Sequence, residues 1–457
     1  MHLLRLSPIL PALLLLLTFG GCRKEHSEEG TPPDPEPPPA VIVQTSVEGR
    51  VLNEQLQPVQ NATVTGGGES TKTDVNGHFL LEDVELPDNA AVISVEKDGY
   101  FNGYRTLMVR EDQIQYIQVE LLLENQADIN AATGDIIAFL QGTLTFPANA
   151  ILSGDNQPYN GQVTVRSIYI DPEGSTIADQ MPGDLRGIGK DNRETGLRAF
   201  SMIVFGMEDG AGAPLFPDAA KPVAVRIMIP TALANSAPQQ IPMWYFDNAT
   251  GFWKEEGVAT RQGSDYVGNA TRAGYWLCAT TFPQITLTAK VVDQRGTGVS
   301  NMRITLLTKT DLIPTYGFTN AEGTYHGKVP SSQALIMIMT DNCSSVLRQQ
   351  EIGPFNATTQ IDNITVTLPA NITLVINGKA KDCDNFNVVT GKVIVNVDNR
   401  NYSANISLGN FALTVLRCSD QPANLTFIAT DGRVGRTSTI TMNVTSGTIT
   451  PTLDVCN

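Results

Sequence analysis

Histidine is almost missing: His2, His26, His78 and His326 are all that 457 residues contain. None belongs to an HExxH, and no GxSxG occurs, which argues against zinc-protease and nucleophile-elbow chemistry. A Ser-His-Asp site would have to use His78 or His326, which fall in separate repeats. Cysteine is also scarce: beyond Cys22 there are Cys278, Cys343, Cys383, Cys418 and Cys456, with no CxxC for a redox pair or zinc knuckle. "GGGES" from Gly66 lacks the Gly-Lys-Ser/Thr ending of a phosphate loop. Positive charge is outnumbered, 31 Lys+Arg against 47 Asp+Glu for a net −16. An acidic surface repels a phosphate backbone, so nucleic acid is not an expected partner. The leucine run at 13–17 is too short to span a bilayer.

Hydrophobic residues make up 41% and charged residues 17%, enough apolar material for several buried cores. The opening of the chain reads as an export signal. Arg5 supplies positive charge, the leucines an apolar core, and Phe19, Gly20 and Gly21 lead into Cys22. Small residues before a cysteine resemble the bacterial lipobox, with Phe19 where leucine is usual. The resemblance implies that Cys22 is lipidated and becomes the new N-terminus. Residues 23–40, "RKEHSEEGTPPDPEPPPA", cannot bury apolar area, and their prolines favour an extended, disordered tether. Such a tether reaches roughly 55 Å at ~3.1 Å per residue. The expected location is the outer membrane, held by the N-terminal lipid and facing the cell surface, with the periplasmic face as the alternative. The "KEHSEE" run resembles the acidic surface-export tag of Bacteroidota lipoproteins.

Three stretches repeat a pattern: "VEGRVLNEQLQPVQNATV" from Val47, "LTAKVVDQRGTGVSNMRITL" from Leu287 and "INGKAKDCDNFNVVTGKVIV" from Ile376. Each is an alternating strand, a polar turn and a second strand. Downstream, Gly77 precedes Phe79, Gly323 precedes Tyr325 and Gly409 precedes Phe411. A glycine turn followed two residues later by an inward aromatic predicts a tight hairpin entering a core. No long segment carries helical periodicity. The expected fold is all-β, a string of antiparallel β-sandwich modules of transthyretin-like or Ig-like type after the disordered tether.

The first repeat resembles a carboxypeptidase-regulatory-like domain, a transthyretin-like sandwich. Gly49 and Val51, Pro58, Val59, Ala62 and Val64, then Thr73, Asp74, Gly77 and Phe79 carry the resemblance. In the second repeat Lys290 stands where the first glycine is expected; the third keeps Gly378 and the Gly409/Phe411 pair. The resemblance implies fold and no catalysis. The middle stretch is similar to the β-sandwich of cartilage intermediate layer protein and its relatives. Its carriers include Phe146, Pro147, Pro182, Gly183, Asp184 and the run "WYFDNATGFW" from Trp244. The expected organisation is a signal at 1–21, tether at 22–40, first sandwich at 41–124, middle sandwich at 125–283, second transthyretin-like sandwich at 284–369 and a divergent third at 370–457.

Candidate sites are few. Trp244, Tyr245, Trp253 and Trp276 read either as an aromatic platform for a glycan or peptide, or, preferably, as the filling of a hairpin core. Glu255 and Glu256 are adjacent on a strand, so they face opposite ways and form no carboxylate pair. Asp74, Asp83, Asp171, Asp184 and Asp209 fall at predicted turns without a twelve-residue calcium-loop pattern. No metal or cofactor is expected. The separation 418 − 383 = 35 residues predicts a Cys383–Cys418 disulfide, with Cys278–Cys343 as a second bridge. The alternatives are free thiols, or Cys456 as the partner of one of the first pair. These readings lead to a non-enzyme, a lipid-anchored envelope protein with a structural, adhesive or interaction role. A glycan- or peptide-binding accessory protein for uptake and a carboxylate-based hydrolase are the alternatives.

Overall fold

The computed structural model describes residues 40–456. Cys22, the export signal and the tether up to residue 39 lie outside the described residues. The described chain is all-β, as alternation predicts. Leu335–Thr340, LIMIMT, alternates buried and half-buried side chains, and Val223–Met228 does the same. Among the described residues helix is confined to one turn, Ile177–Gln180.

In the first repeat Ile42–Asn53 lies between His78–Pro87, antiparallel, and Ile114–Leu121, parallel. A second sheet, in the order Glu69–Lys72, Thr63–Gly66, Ala91–Glu96 and Gly103–Leu107, packs over it. Val47, Val51, Phe79, Leu81, Ile93 and Val119 fill the space between. Gln284–Val292 repeats this arrangement, antiparallel to Thr324–Pro330 and parallel to Thr359–Gln360 and Ile364–Thr365. Thr373–Asp382 does so again, with Asn410–Leu416 on one side and Gly447–Ile449 and Thr452–Val455 on the other. The modules are thus mixed rather than purely antiparallel: each closes by laying a late strand along the free edge of its first.

Gly77, Gly323 and Gly409 all take positive φ (74°, 81° and 79°), which a side chain would strain. The aromatics that follow are buried: Phe79, Tyr325 and Phe411 are 5%, 2% and 4% exposed. The turns differ in what they join. Only the Gly409 turn makes a true hairpin, with Ser407 paired to Asn410. The turns at Gly77 and Gly323 are corners, because Glu69–Lys72 and His78–Pro87 belong to different sheets, as do Pro314–Phe318 and Thr324–Pro330. In the third copy the hairpin merges both layers into one eight-stranded sheet.

Each aromatic ring covers a small residue on the opening strand. Phe79 pairs with Gly49 and Phe411 with Gly378; a methyl added at Gly49 would lie 2.7 Å from Phe79 Cε1, and one at Gly378 1.9 Å from Phe411 Cζ. In the second copy the partner of Tyr325 is Ala289. The residue equivalent to Gly49 is therefore Ala289, with Lys290 matching Arg50. Ala289 is tolerated because part of the Tyr325 ring rests over Gly317 and Gly327, where added methyls would meet it at 2.7 Å.

The middle segment is built on an eleven-stranded sheet running from Asn125–Asn130 to Asp135–Phe139, with Glu194–Asp209, Gly274–Phe282 and Gln240–Asp247 near its centre, beside a two-stranded pair of Ile151–Leu152 and Phe216–Pro217. Val163 and Leu144, from strands near opposite ends, share one core, so the sheet curls on itself. Its other face carries a second core. Trp244, Trp253, Phe246, Met202 and Leu277 pack there with Phe101 and Leu122 of the first repeat, and Tyr316 of the second borders them. This junction is packed with buried apolar side chains like a module interior.

Candidate functional site

Beside that junction runs a groove of about 970 Å³. One wall is the 97–104 turn of the first repeat, with Tyr100 and Tyr104; the other carries Arg166, Phe216, Tyr245, Arg272 and Tyr275. Tyr104 packs 5.6 Å from Phe246 and edge-on to Tyr275 at 6.3 Å, centroid to centroid. The Tyr275 hydroxyl donates to Asn102 O at 2.8 Å, and Asn248 Nδ2 donates to the Tyr104 hydroxyl at 3.3 Å. Burial raises the Tyr275 pKa above its ordinary value, so the hydroxyl stays a donor. Arg272 sits 4.0 Å above the Tyr245 ring, a cation–π stack, and also pairs with Glu256 at 2.8 Å. Arg166 is held by Glu124 on one side and Glu208 on the other. Fixed aromatic faces bordered by neutralised charges suit a neutral or amphipathic ligand better than a strongly ionic one.

The sequence-derived platform is corrected here. Trp244, Trp253 and Trp276 are each 0% exposed. Trp244 Nε1 donates to Ala279 O at 3.2 Å and Trp276 Nε1 to Arg272 O at 2.9 Å, so both rings are fixed inside cores. Alternation on a two-faced sheet sends neighbouring aromatics into opposite cores, Trp244 and Trp253 into the junction and Trp276 into the curled sheet. Tyr245 alone of the four lines the groove. Tyr100, Tyr104 and Phe216 were missed; the two tyrosines in the turn "DGYFNGY" were the available signal.

The titratable groups singled out in the sequence are committed to structure. Glu255 hydrogen-bonds Lys190 N at 3.2 Å, whereas Glu256 faces Arg272, so the adjacent pair does diverge. Asp74, Asp209, Asp293, Asn320, Asp341 and Asp382 each accept two backbone N–H groups through one side-chain oxygen, two and four residues on. These turn residues cap loops. His326 Nδ1 accepts from Thr288 Oγ1 at 2.8 Å and Arg110 Nη2 at 3.0 Å. Burial first, then Arg110, lowers its pKa to about 4, so it is neutral at neutral pH. His78 Nε2 lies 3.0 Å from Asn399 O and 3.3 Å from Asn401 N, both across in the third copy.

That last contact belongs to a second junction. Ser46 and Glu48, on the face opposite Val47, should face solvent by alternation, yet both are buried, and side chains of the third copy reach them. Ser403 donates to Glu48 Oε2, and Asn301 Nδ2 of the second copy donates to Glu48 Oε1 at 3.3 Å. Lys392 Nζ reaches Asp83 Oδ1 and Ser46 Oγ, each at 2.7 Å. Glu48 thus joins three modules. Burial raises its pKa to about 7, hydrogen bonds from Ser403 and Asn301 offset part of that, and Glu322 adds repulsion. The folded state therefore holds a proton that the unfolded carboxyl releases near pH 4.5. Stability falls as pH rises from about 4.5 to about 7 and is flat above, a loss of roughly 3 kcal/mol. Glu48→Gln should remove this slope and be more stable than the parent at pH 8 but not at pH 4.5; urea unfolding at both values measures it.

The disulfide prediction is also corrected. Cys343 bonds Cys418, with Cα atoms 5.5 Å apart, tying the second copy to the third. Cys383–Cys418 is ruled out by strand direction: Thr373 pairs with Leu416 and Lys379 with Asn410. Cys418 therefore flanks the start of Thr373–Asp382 and Cys383 follows its end, about 40 Å away along the strand at ~3.4 Å per residue. Cys278–Cys343 fails because Cys343 is bonded to Cys418, and Cys278 stays a free thiol buried in the middle core, where burial pushes it up to about 12.

No family model matches the chain. A 123-residue stretch is 30% identical to human cartilage intermediate layer protein 2, covering 27% of this chain and 10% of that protein. The chain thus spans only about a tenth of that relative's length. Among solved structures it is similar to shaft pilin SpaA from Lactobacillus rhamnosus GG. That match has 9% identity, 38% of this chain and 98% of the other, and TM-score 0.19. A streptococcal ancillary pilin matches at 10% identity over 48% and 92%, TM-score 0.18. The major pilin subunit BcpA of Bacillus cereus matches at 9% over 90% and 99%, TM-score 0.16. Among the described residues no helix is long and apolar enough to cross a membrane.

Proposed function

We propose that this chain is a non-catalytic, lipid-anchored cell-envelope protein that presents a stiff β-module array in a structural or adhesive role. The observation that carries the reading is how the modules join. Apolar surface continues from Phe101 and Leu122 across to Trp244 and Trp253, and Glu48 hydrogen-bonds two further modules. Asp179, on the helical turn Ile177–Gln180, accepts from Gln118 at 2.9 Å and Arg303 at 2.6 Å, linking the middle segment to the first and second copies. A chain built for display gains from such stiffness, because a projecting site is held at a fixed reach. Among the described residues His78 and His326 are held in structural hydrogen bonds, and the Asp74 carboxylate caps its own turn. The groove favours a second reading, a glycan- or peptide-binding accessory protein, with Tyr100, Tyr104 and Tyr245 as contacts.

The location rests on Cys22, the tether and the resemblance to Bacteroidota lipoproteins with carboxypeptidase-regulatory-like modules. Cys22→Ala is expected to move the protein from the membrane fraction to the soluble one, or to leave an unprocessed precursor. Unchanged partitioning would overturn the anchor. Capture of a matrix protein or glycan on an array by the purified protein supports the interaction role, and loss of capture in Tyr245→Ala assigns it to the groove. Robust substrate turnover would overturn it.

A further inference from the structure

The cysteines left over by the Cys343–Cys418 bond point to a second covalent link. Among the described residues Cys278 is enclosed in the middle core, which leaves Cys383 and Cys456, both exposed. Thr452–Val455 lies parallel to Thr373–Asp382, with Asp382 opposite Val455. Cys383 and Cys456 are the next residue of each strand. Neighbouring strands run about 4.7–4.9 Å apart, within the ~4.4–6.8 Å that a disulfide needs between Cα atoms. The Cys383 sulfur is already turned across the gap, 3.5 Å from Cys456 O and 3.9 Å from Val455 O.

We propose that Cys383 and Cys456 form a second disulfide, a latch that ties Thr452–Val455 to the first strand of the third copy. The electron acceptor is a small-molecule disulfide such as oxidised glutathione, or the active-site disulfide of a thiol oxidoreductase. Cys383 is the attacking thiol. Arg436 Nη1 lies 3.5 Å from its sulfur and can stabilise the negative charge that sulfur carries during exchange. The neighbouring Cys383 side chain pushes the Cys456 thiol up to about 11, which leaves Cys456 to act second.

The thiolate of Cys383 attacks one sulfur of the donor disulfide, and the first donor thiol leaves. Cys456 then loses its proton and attacks the Cys383 sulfur of that mixed disulfide, and the second donor thiol leaves. Two electrons and two protons pass from the cysteine pair to the donor, which ends as two thiols. The latch closes a loop of 73 residues around the third copy. It secures Leu453 and Val455, which are 1% and 0% exposed and belong to that module's core. Without it, this short strand is held only by its parallel pairing and those two side chains.

The test is incubation of the full chain with a glutathione redox pair, then non-reducing peptide mapping and hydrogen exchange. Oxidising conditions are expected to yield the Cys383 peptide joined to the Cys456 peptide, two hydrogens lighter than the reduced pair. Amide exchange over Thr452–Val455 should slow about tenfold. Cys383→Ser and Cys456→Ser should each abolish that slowing, while the Cys343–Cys418 peptide, intact throughout, reports that the variants fold. Recovery of both cysteines as alkylated free thiols under oxidising conditions would overturn the latch. So would a link between two chains, or exchange that is equally slow in the serine variants.

Discussion

Trp244→Ala is expected to cost about 3–5 kcal/mol of unfolding free energy, among the largest effects of any single substitution in this chain. The ring is 0% exposed and lies where the middle sheet meets the first repeat. Its fit is tight on the sheet side as well. A methyl added at Gly187 would stand 2.8 Å from Trp244 Cζ3, so little can move in to fill the space the indole vacates. The substitution also leaves Ala279 O without its indole donor. Urea unfolding measures the loss, and hydrogen exchange at Phe101 and Leu122 should accelerate with it, because those residues share the cluster. A loss below 1 kcal/mol with unchanged exchange would mean that the modules meet without a common core. Tyr245→Ala is the contrast. That ring lines the groove with Arg272 above it, so its removal should affect ligand capture more than stability.

Breaking Cys343–Cys418 is expected to cost about 4 kcal/mol. The bond spans 75 residues, and closing a loop of that size removes chain entropy from the unfolded state. The double variant Cys343→Ser, Cys418→Ser should match the reduced parent in denaturant midpoint. Because the bond joins the second copy to the third, its loss should loosen their junction, read as faster exchange in Val346–Ile352 and Asn410–Leu416. Equal midpoints for oxidised and reduced protein would contradict the entropy argument. Asp341 next to the bond holds the Cys343 amide at 2.8 Å, so the loop keeps its shape in the serine variant, and the comparison isolates the covalent term.

The turn-glycine and aromatic pairs were legible because both halves of the signal are local. Positive φ asks for glycine, and period two sends the aromatic inward. What they could not reveal is whether the turn closes a hairpin or rounds a corner, since Gly77 and Gly409 have nearly the same φ and serve opposite topologies. The cysteine pairing failed for a related reason. Spacing measures contour length, whereas the partner of Cys418 is decided by strand direction, and Thr373–Asp382 carries Cys383 away from it. The burial of Glu48 was hidden because alternation assigns one face to solvent, and only the docked third copy turns that face into an interior. The groove was the least legible element. Tyr104 and Tyr245 are remote in sequence and line one groove because of the apolar junction beneath them.

The parallel pairing of each opening strand decides how such a chain would carry tension. In the first repeat the register runs from Ser46–Ile114 to Asn53–Leu121. The chain enters this ladder at one end of Ile42–Asn53 and leaves it at the other end of Ile114–Leu121. A pull through those two points drags the strands past one another lengthwise, so the crosswise hydrogen bonds share the load and must yield together. An antiparallel closure would be peeled open one bond at a time from its free end. The second and third copies place late strands along their first strands in the same sense. An array tethered at one end and gripped at the other would meet the force with each of these modules loaded in shear.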